Sequence, residues 1–386
     1  MTLDPHASDA TPPTERPSTR RERLVAVAFT IALILPGLAT VAGVRPDLDE
    51  NRRPEPFPVI TIESLGTSGL YAGIDRAVND AFPLRVPAIR AQATLDHVIL
   101  GGTSNPDVVP GTDGWLFSRE EVRPLCKATT EAFLANLAAA EAMADRAGVT
   151  FRFVVAPDKH AIYPEHLPST IDQADLCTDQ RRPEVAAALG SRETALELWS
   201  PLQDMHGDDP DVPLYYATDT HWTPLGARVA AELLVDSLAV GLWDEDEVLT
   251  RPGRNRHTDL ARQIGLPQVE TVDNFAARPR VRFRRTSIDV GVELDNSTEV
   301  ARFRVAPKVE VIPGRTLFLY NSFFAPHMRQ FAPWFADSIW VHADDFRDFP
   351  EIARSLPAFD TIVVVRVERS VYDHDIAALV RPLLAP

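Results

Sequence analysis

Four short apolar runs, each ending at a turn and each followed by residues with helical spacing, limit what this chain can become. They are "TFRFVVAP" (150–157), "RTLFLYNS" (315–322), "SIWVH" (338–342) and "TIVVVRV" (361–367). Each is rich in β-branched or aromatic residues and too short for a core helix, so each reads as a strand. None alternates polar with apolar, which is the pattern of strands covered on both faces. A weaker strand follows near 195–199, and apolar periodicity places helices near 128–147 and 224–240. The expected fold is therefore α/β, with a mostly parallel central sheet flanked by helices. Residues 269–312 alternate instead and suggest a small β-rich, antiparallel insertion. Ligands of such sheets bind beyond the carboxyl ends of the strands. That rule selects the loop at 157–165, the loop around Asp219 and the turn at Asn321–Ser322.

The chain ahead of this body divides by composition. Residues 1–23 are polar, repeat Pro and Thr, and read as a disordered cytoplasmic tail. "RRER" then leads into residues 24–44, 21 residues without a charge, enough for a transmembrane signal-anchor. The basic flank sets the tail inside and the body outside, as a single-pass membrane protein with an extracytoplasmic domain. A cleaved signal peptide, ending near Thr40 and Ala42 and leaving a secreted body, is the alternative. Residues 45–65 are charged and Pro-rich, a linker. Residues 66–110 form an N-terminal helical segment, with two short helices broken around Pro83 and Pro87. The main domain runs from 111 to 386, opening with the turn and short strand of "GTDGWLFSRE". A net charge of −16 excludes a nucleic-acid partner, which would need a basic surface. Cys126 and Cys177 fit no metal or redox motif; outside the cytoplasm they can form one disulfide, and otherwise they are two buried thiols.

"ATDTHWTPLGA" (217–227) carries an acid, an imidazole and an indole just ahead of a helix. Asp219 or Thr223 can be the cap of that helix. In an extended segment, however, Asp219 and His221 share a face. Asp219 can then fix the His221 tautomer while the other ring nitrogen serves as a general base. Ser322 closes the run "RTLFLYNS" at the start of an expected helix, where a hydroxyl stands exposed and a helix dipole favours a developing oxyanion. Ser322 or Asn321 can equally be a plain N-cap. Lys159 and Tyr163 follow a strand on the same side and can bind substrate, and Trp115 and Trp222 can stack on sugar rings or fill core. No HxxxH or HExxH partner accompanies the Asp-x-His pair, so no metal is expected.

The stretches "ENRRPEPFP", "DRAVNDAFPLR", "GTDGWLF", "APDKHAIYPEHLP", "DTHWTPLGA", "HTDLARQIGLP" and "LYNSFF" resemble, in type and order, alginate O-acetyltransferase proteins of AlgX/AlgJ type in the SGNH-hydrolase superfamily. The resemblance runs from about residue 50 to the C-terminus, and its specific parts are the DTHW and PDK…YPE…LP segments. It implies a circularly permuted SGNH-like fold and a triad of Asp219, His221 and Ser322, in that order. The family usually has Gly-Asp before its serine, where this chain has Tyr320-Asn321. The function implied is acyl transfer through an acyl-serine to hydroxyls of an extracytoplasmic polysaccharide. It needs no cofactor, and a membrane-bound partner would deliver the acyl group. Lys159, Tyr163, Trp222 and Asn321 would line the substrate site. A carbohydrate esterase and a non-catalytic polysaccharide-binding or assembly protein are the alternatives.

Overall fold

The computed structural model describes residues 20–41, 55–82, 85–99, 101–103, 105–123, 125–266, 268–297, 299–306, 308–372 and 375–384. Residues 1–19 of the expected tail and 45–54 of the expected linker lie outside these residues. Two compact units divide the chain, Met1–Ala91 and Gln92–Pro386.

The first unit is helical. Helix α1 spans Arg20–Val41. Its apolar part, from Leu24, rises about 27 Å, short of the ~30 Å hydrocarbon layer. Among the described residues no helix is long and apolar enough to cross a membrane. The expected span at 24–44 is therefore not shown, and its residues 42–44 lie outside the described ones. Helix α2, Ser68–Ala81, starts where Thr67 accepts a hydrogen bond from the Leu70 N–H. Helix α3, Arg85–Thr94, holds Pro87 at its third residue, a first-turn position where a missing N–H costs nothing.

The second unit is built on one seven-stranded sheet. In chain order its strands are β1 (Thr150–Ala156), β2 (Ala195–Glu197), β3 (Phe283–Ile288), β4 (Val300–Val305), β5 (Ile312–Tyr320), β6 (Phe335–His342) and β7 (Thr361–Val367). They lie side by side as β2-β1-β7-β5-β6-β4-β3. The first five positions are mutually parallel, and β4 and β3 add an antiparallel edge. The sheet is thus mixed. The alternating residues expected to form a separate insertion instead pair into the main sheet, because β4 finds an open edge on β6. Only Asn274–Ala277 and Val269–Glu270 pair elsewhere, with Val248–Arg251 and Arg256–His257.

Alternate side chains of the parallel strands fill two cores. Val363, Val365, Phe318 and Trp340 enter one, with helix α7 (Pro224–Leu238) packed over it; Ile362, Val364, Leu317 and Ile339 enter the other, under α4 (Thr130–Arg146) and α8 (Ile376–Leu384). Phe318 and Trp340 stack face to face at 3.8 Å between ring centres.

Cys126 and Cys177 are joined by a disulfide that closes a 51-residue separation. It ties the segment after Ser118 to the first residue of helix α5 (Cys177–Gly190). Replacing both cysteines by serine is expected to lower unfolding stability by about 2–4 kcal/mol, read from denaturant titration; an unchanged midpoint contradicts this contribution.

Candidate active site

Beyond the carboxyl ends of β1, β5, β6 and β7 the chain assembles a polar cluster from three loops. The loop after β1 contributes Asp158, Lys159 and His160, all fully buried. Asp158 pairs with Arg369, His160 faces Asp179 at 2.9 Å, and Arg182 bridges Asp179 and Glu368 at 2.8 and 2.7 Å. Burial pushes the Asp158 carboxyl up to about 6, against the opposing charge of Arg369. These ion pairs lock β1, α5 and the end of β7 together.

Lys159 was expected to meet substrate, but it points inward. Its Nζ donates to the carbonyls of Leu116, Tyr216 (3.3 Å), Ala217 (3.1 Å) and Asp219 (2.8 Å). Burial pushes its pKa down, while the surrounding carboxylates, Glu121 first, oppose that shift. The ammonium thus gathers the backbone of the 216–219 loop. Tyr163 is also structural: its hydroxyl donates to the Val212 carbonyl at 2.5 Å and accepts from the Leu214 N–H at 2.8 Å. Both substrate-binding expectations are corrected.

The loop these residues hold carries Asp219 and His221. It bends rather than runs extended, yet the pair meets. Asp219 Oδ1 accepts from the His221 backbone N–H (3.0 Å) and lies 2.7 Å from His221 Nδ1. Thr223, not Asp219, caps the helix, accepting from the N–H groups of Leu225 (3.2 Å) and Gly226 (3.5 Å), with Pro224 at the first helical position. Gly226 is required by contact: a Cβ there would stand 2.6 Å from the Leu214 carbonyl oxygen.

Asp259, which sequence reasoning passed over, completes the cluster. Its Oδ2 lies 3.4 Å from His221 Nδ1, its Oδ1 accepts from the Thr220 N–H (2.7 Å), and its own N–H donates to Asp219 Oδ2 (3.0 Å). Arg256 stands 3.5 Å from that same Asp219 oxygen. The only signal was "TD" before a helical stretch, which reads as an ordinary cap. Burial lowers the basicity of His221, but its hydrogen bonds to Asp219 and Asp259 and their charges outweigh this and raise its pKa. Asp259 is correspondingly pulled well below the usual carboxylate range; burial opposes that shift, and the His221 hydrogen bond and charge outweigh burial. Asp219, His221 and Asp259 have donor atoms within 4.8 Å of one another, close enough to hold a cation. All four carboxylate oxygens also accept N–H or O–H bonds within the protein.

The turn after β5 supplies Ser322, which is exposed between buried Asn321 and Phe323. Trp222, expected to stack on a sugar, is fully buried and donates from Nε1 to the Phe323 carbonyl at 2.9 Å. The His221 and Phe323 rings lie 5.2 Å apart. Trp222, next to His221, and Phe323, next to Ser322, therefore bind the His221 loop to the Ser322 turn. Asn321 Oδ1 accepts from the Phe323 N–H at 3.1 Å, and its buried Nδ2 has no protein partner. A full helix does not follow: Ala325–His327 and Ala332–Trp334 are 3₁₀ turns led by prolines, around a single α turn at Met328–Phe331. No long helix dipole points at Ser322. Nearby His327 is buried, which drops its pKa to about 3, helped by the charges of Arg256 and His221. Ser322, Asn321, His342, Asp344, Arg366 and Arg369 line a cleft of about 510 Å³.

Residues 108–297 match the family described as SGNH hydrolase-like domain, acetyltransferase AlgX. That stretch, just under half of the chain, is similar to the AlgX SGNH-like domain. The match includes Asp219, His221 and Asp259 and ends ahead of Ser322. "Probable alginate O-acetylase AlgJ" of Azotobacter vinelandii is 28% identical over 247 residues, 60% of this chain and 61% of that protein. The protein of the same description from Pseudomonas aeruginosa is 29% identical over 210 residues, 53% of this chain and 52% of that one. The chain thus spans between about half and three-fifths of these two relatives' lengths. A solved structure of Bacillus cereus PatB1 with a sulfonyl adduct superposes with TM-score 0.51 at 13% identity, covering 70% of this chain and 99% of that one. That likeness concerns the fold alone.

Because the carboxylates hold the His221 pKa above its ordinary 6.5 against burial, Asp219→Asn is expected to lower its titration midpoint. NMR titration of the ring checks this; a midpoint that stays put or rises contradicts the assigned electrostatics.

Proposed function

We propose that the chain is a serine-dependent O-acetyltransferase that acylates hydroxyls of an extracytoplasmic polysaccharide. The observation that carries the reading is the junction between the two loops. Asp219 holds His221 by Nδ1, which leaves Nε2 as the base, and Trp222 pins the turn that presents Ser322. Ser322 Oγ attacks the acyl carbonyl, its proton passes to His221 Nε2, and that proton leaves with the donor's leaving group. An acceptor hydroxyl then attacks the acyl-serine and gives its proton to His221, and Ser322 Oγ takes it back. Asp259 shares in stabilising the imidazolium. The relatives' description as alginate O-acetylases supports a polysaccharide acceptor. No bound cofactor enters these steps; the acyl group comes from a separate membrane-bound acyltransferase partner.

Asn321 fits this role without the acid usual before the family's serine, because its Oδ1 makes the hydrogen bond that closes the turn. Export of the body is supported by the disulfide and by the N-terminal helix, whose Leu24, Val27, Phe29 and Ile31 are all exposed. The basic "RRER" at 20–23 fits an orientation with that end inside.

Intact-mass spectrometry after exposure to a sulfonyl fluoride or an activated acetyl ester tests the nucleophile. One adduct on the wild type and none on Ser322→Ala is expected, with acetyl transfer reduced by about 10³-fold or more in that variant. Adduct formation equal in both proteins contradicts the proposal. The acylation rate needs neutral His221, so it should rise with pH through a midpoint above 6.5. In Asp219→Asn that limb should shift to lower pH and the plateau rate fall by about 10⁴.

A further inference from the structure

A separate cavity of about 460 Å³ borders the reacting groups and shares no lining residue with the Ser322 cleft among the described residues. Its walls include Tyr216, Pro252, Arg256, Pro326, His327 and Gln330. Two of them tie it to the triad. His327 ends the 3₁₀ turn that follows Ser322. Arg256 stands 3.5 Å from Asp219 Oδ2, and its guanidinium covers the Tyr216 ring at 5.0 Å. His327 is 2% exposed, and neither ring nitrogen has a hydrogen-bond partner among the described residues. Gln330 Oε1 is buried and unpartnered as well, while its Nε2 donates to Asn274 Oδ1 at 3.3 Å and so fixes the amide. Buried polar atoms left unpaired cost stability. Three of them around one cavity call for a ligand that supplies their partners.

Burial keeps the His327 ring neutral, so one of its nitrogens donates and the other accepts. With Gln330 Oε1 the cavity presents one donor and two acceptors. An anion brings acceptors alone and would set them against two bare lone pairs. A cation would meet the guanidinium of Arg256. A hydroxyl both donates and accepts, so two hydroxyls on adjacent carbons satisfy all three atoms. Pro252 and Pro326 add apolar surface for the C–H face of a ring, and the volume is that of a small-molecule site. We infer that this cavity is a saccharide subsite, which binds the neutral hydroxyls of a sugar ring other than the one that reacts at Ser322. The preferred acceptor is then a chain of sugars rather than a single one. The inference rests on the proposed reading for the polymer it would hold, but its test needs no turnover.

Binding to the full chain, without acyl donor, is measured by calorimetry and by the NMR signals of the His327 ring nitrogens. The probes are neutral hexasaccharides of glucose, galactose and mannose, with inorganic sulfate as the anion control. At least one neutral hexasaccharide should bind and move the His327 signals, and sulfate should leave them in place. His327→Phe and Gln330→Leu should each weaken that sugar by about tenfold or more. No neutral sugar at His327, or sulfate in its place, overturns the inference. So does unchanged sugar affinity in both variants, which would mean that solvent alone pairs these atoms. Thermal melting separates a binding role from a structural one. Without ligand, His327→Phe should melt at the wild-type temperature or higher, because it removes unpaired polar atoms from the interior. A marked fall in that midpoint makes the histidine structural and contradicts the inference. Failure to label Ser322, tested separately above, would remove the transferase reading while leaving this binding result to stand.

Discussion

A single buried ammonium organises the site. Lys159 Nζ collects carbonyls from Leu116, Tyr216, Ala217 and Asp219, four residues on two separate segments. Carbonyls that converge in this way repel one another and need a donor rich in N–H groups, which the lysine ammonium with its three N–H bonds provides. The loop that bears Asp219 and His221 lies between a strand-like bridge at Tyr215 and the start of helix α7, and Glu270 and Asp259 add to its hold by accepting from the N–H groups of Ala217, Thr218 and Thr220. The charge itself is steadied at a distance by Glu121, Asp259, Asp219 and Glu270. Burying a lysine is costly, and here the cost goes into a fixed loop geometry rather than into general stability.

From that loop outward, each contact passes position to the next. Asp219 orients His221, Asp259 backs both through its N–H and its carboxylate, and Trp222 carries the arrangement to the Ser322 turn through one indole hydrogen bond. The sheet contributes by bringing β5, β6 and β7 into parallel register, so that Tyr320, His342 and Arg366 end at one edge. A cleft there follows from topology.

The parallel core was legible in the sequence because strands buried on both faces must be apolar throughout, as "TIVVVRV" and "TLFLY" are. The antiparallel edge was misread as an insertion, since alternation reveals strands but not which sheet they join. Asp219 and His221 could be read from local spacing, and their hydrogen bond is itself local, made within a bend. Lys159 could not. Its burial depends on carbonyls 43 to 60 positions away in the chain, and a lysine after a strand looks like a surface residue. Asp259 hid behind an ordinary capping pattern for the same reason. The helix expected after Ser322 fails because Pro326 and Pro333 each start a 3₁₀ turn, so the dipole argument drops out and the turn's own N–H groups remain.

The account holds that the Lys159 clamp places His221 where it can activate Ser322. The direct test is the burst rate of acyl-enzyme formation from a chromogenic acetyl ester in Lys159→Met, a change that keeps side-chain length and removes the donor. Circular dichroism would verify that the fold is kept. A folded Lys159→Met protein that acylates about 10²-fold or more slowly than wild type is the predicted result. A folded variant with the wild-type burst rate would contradict it.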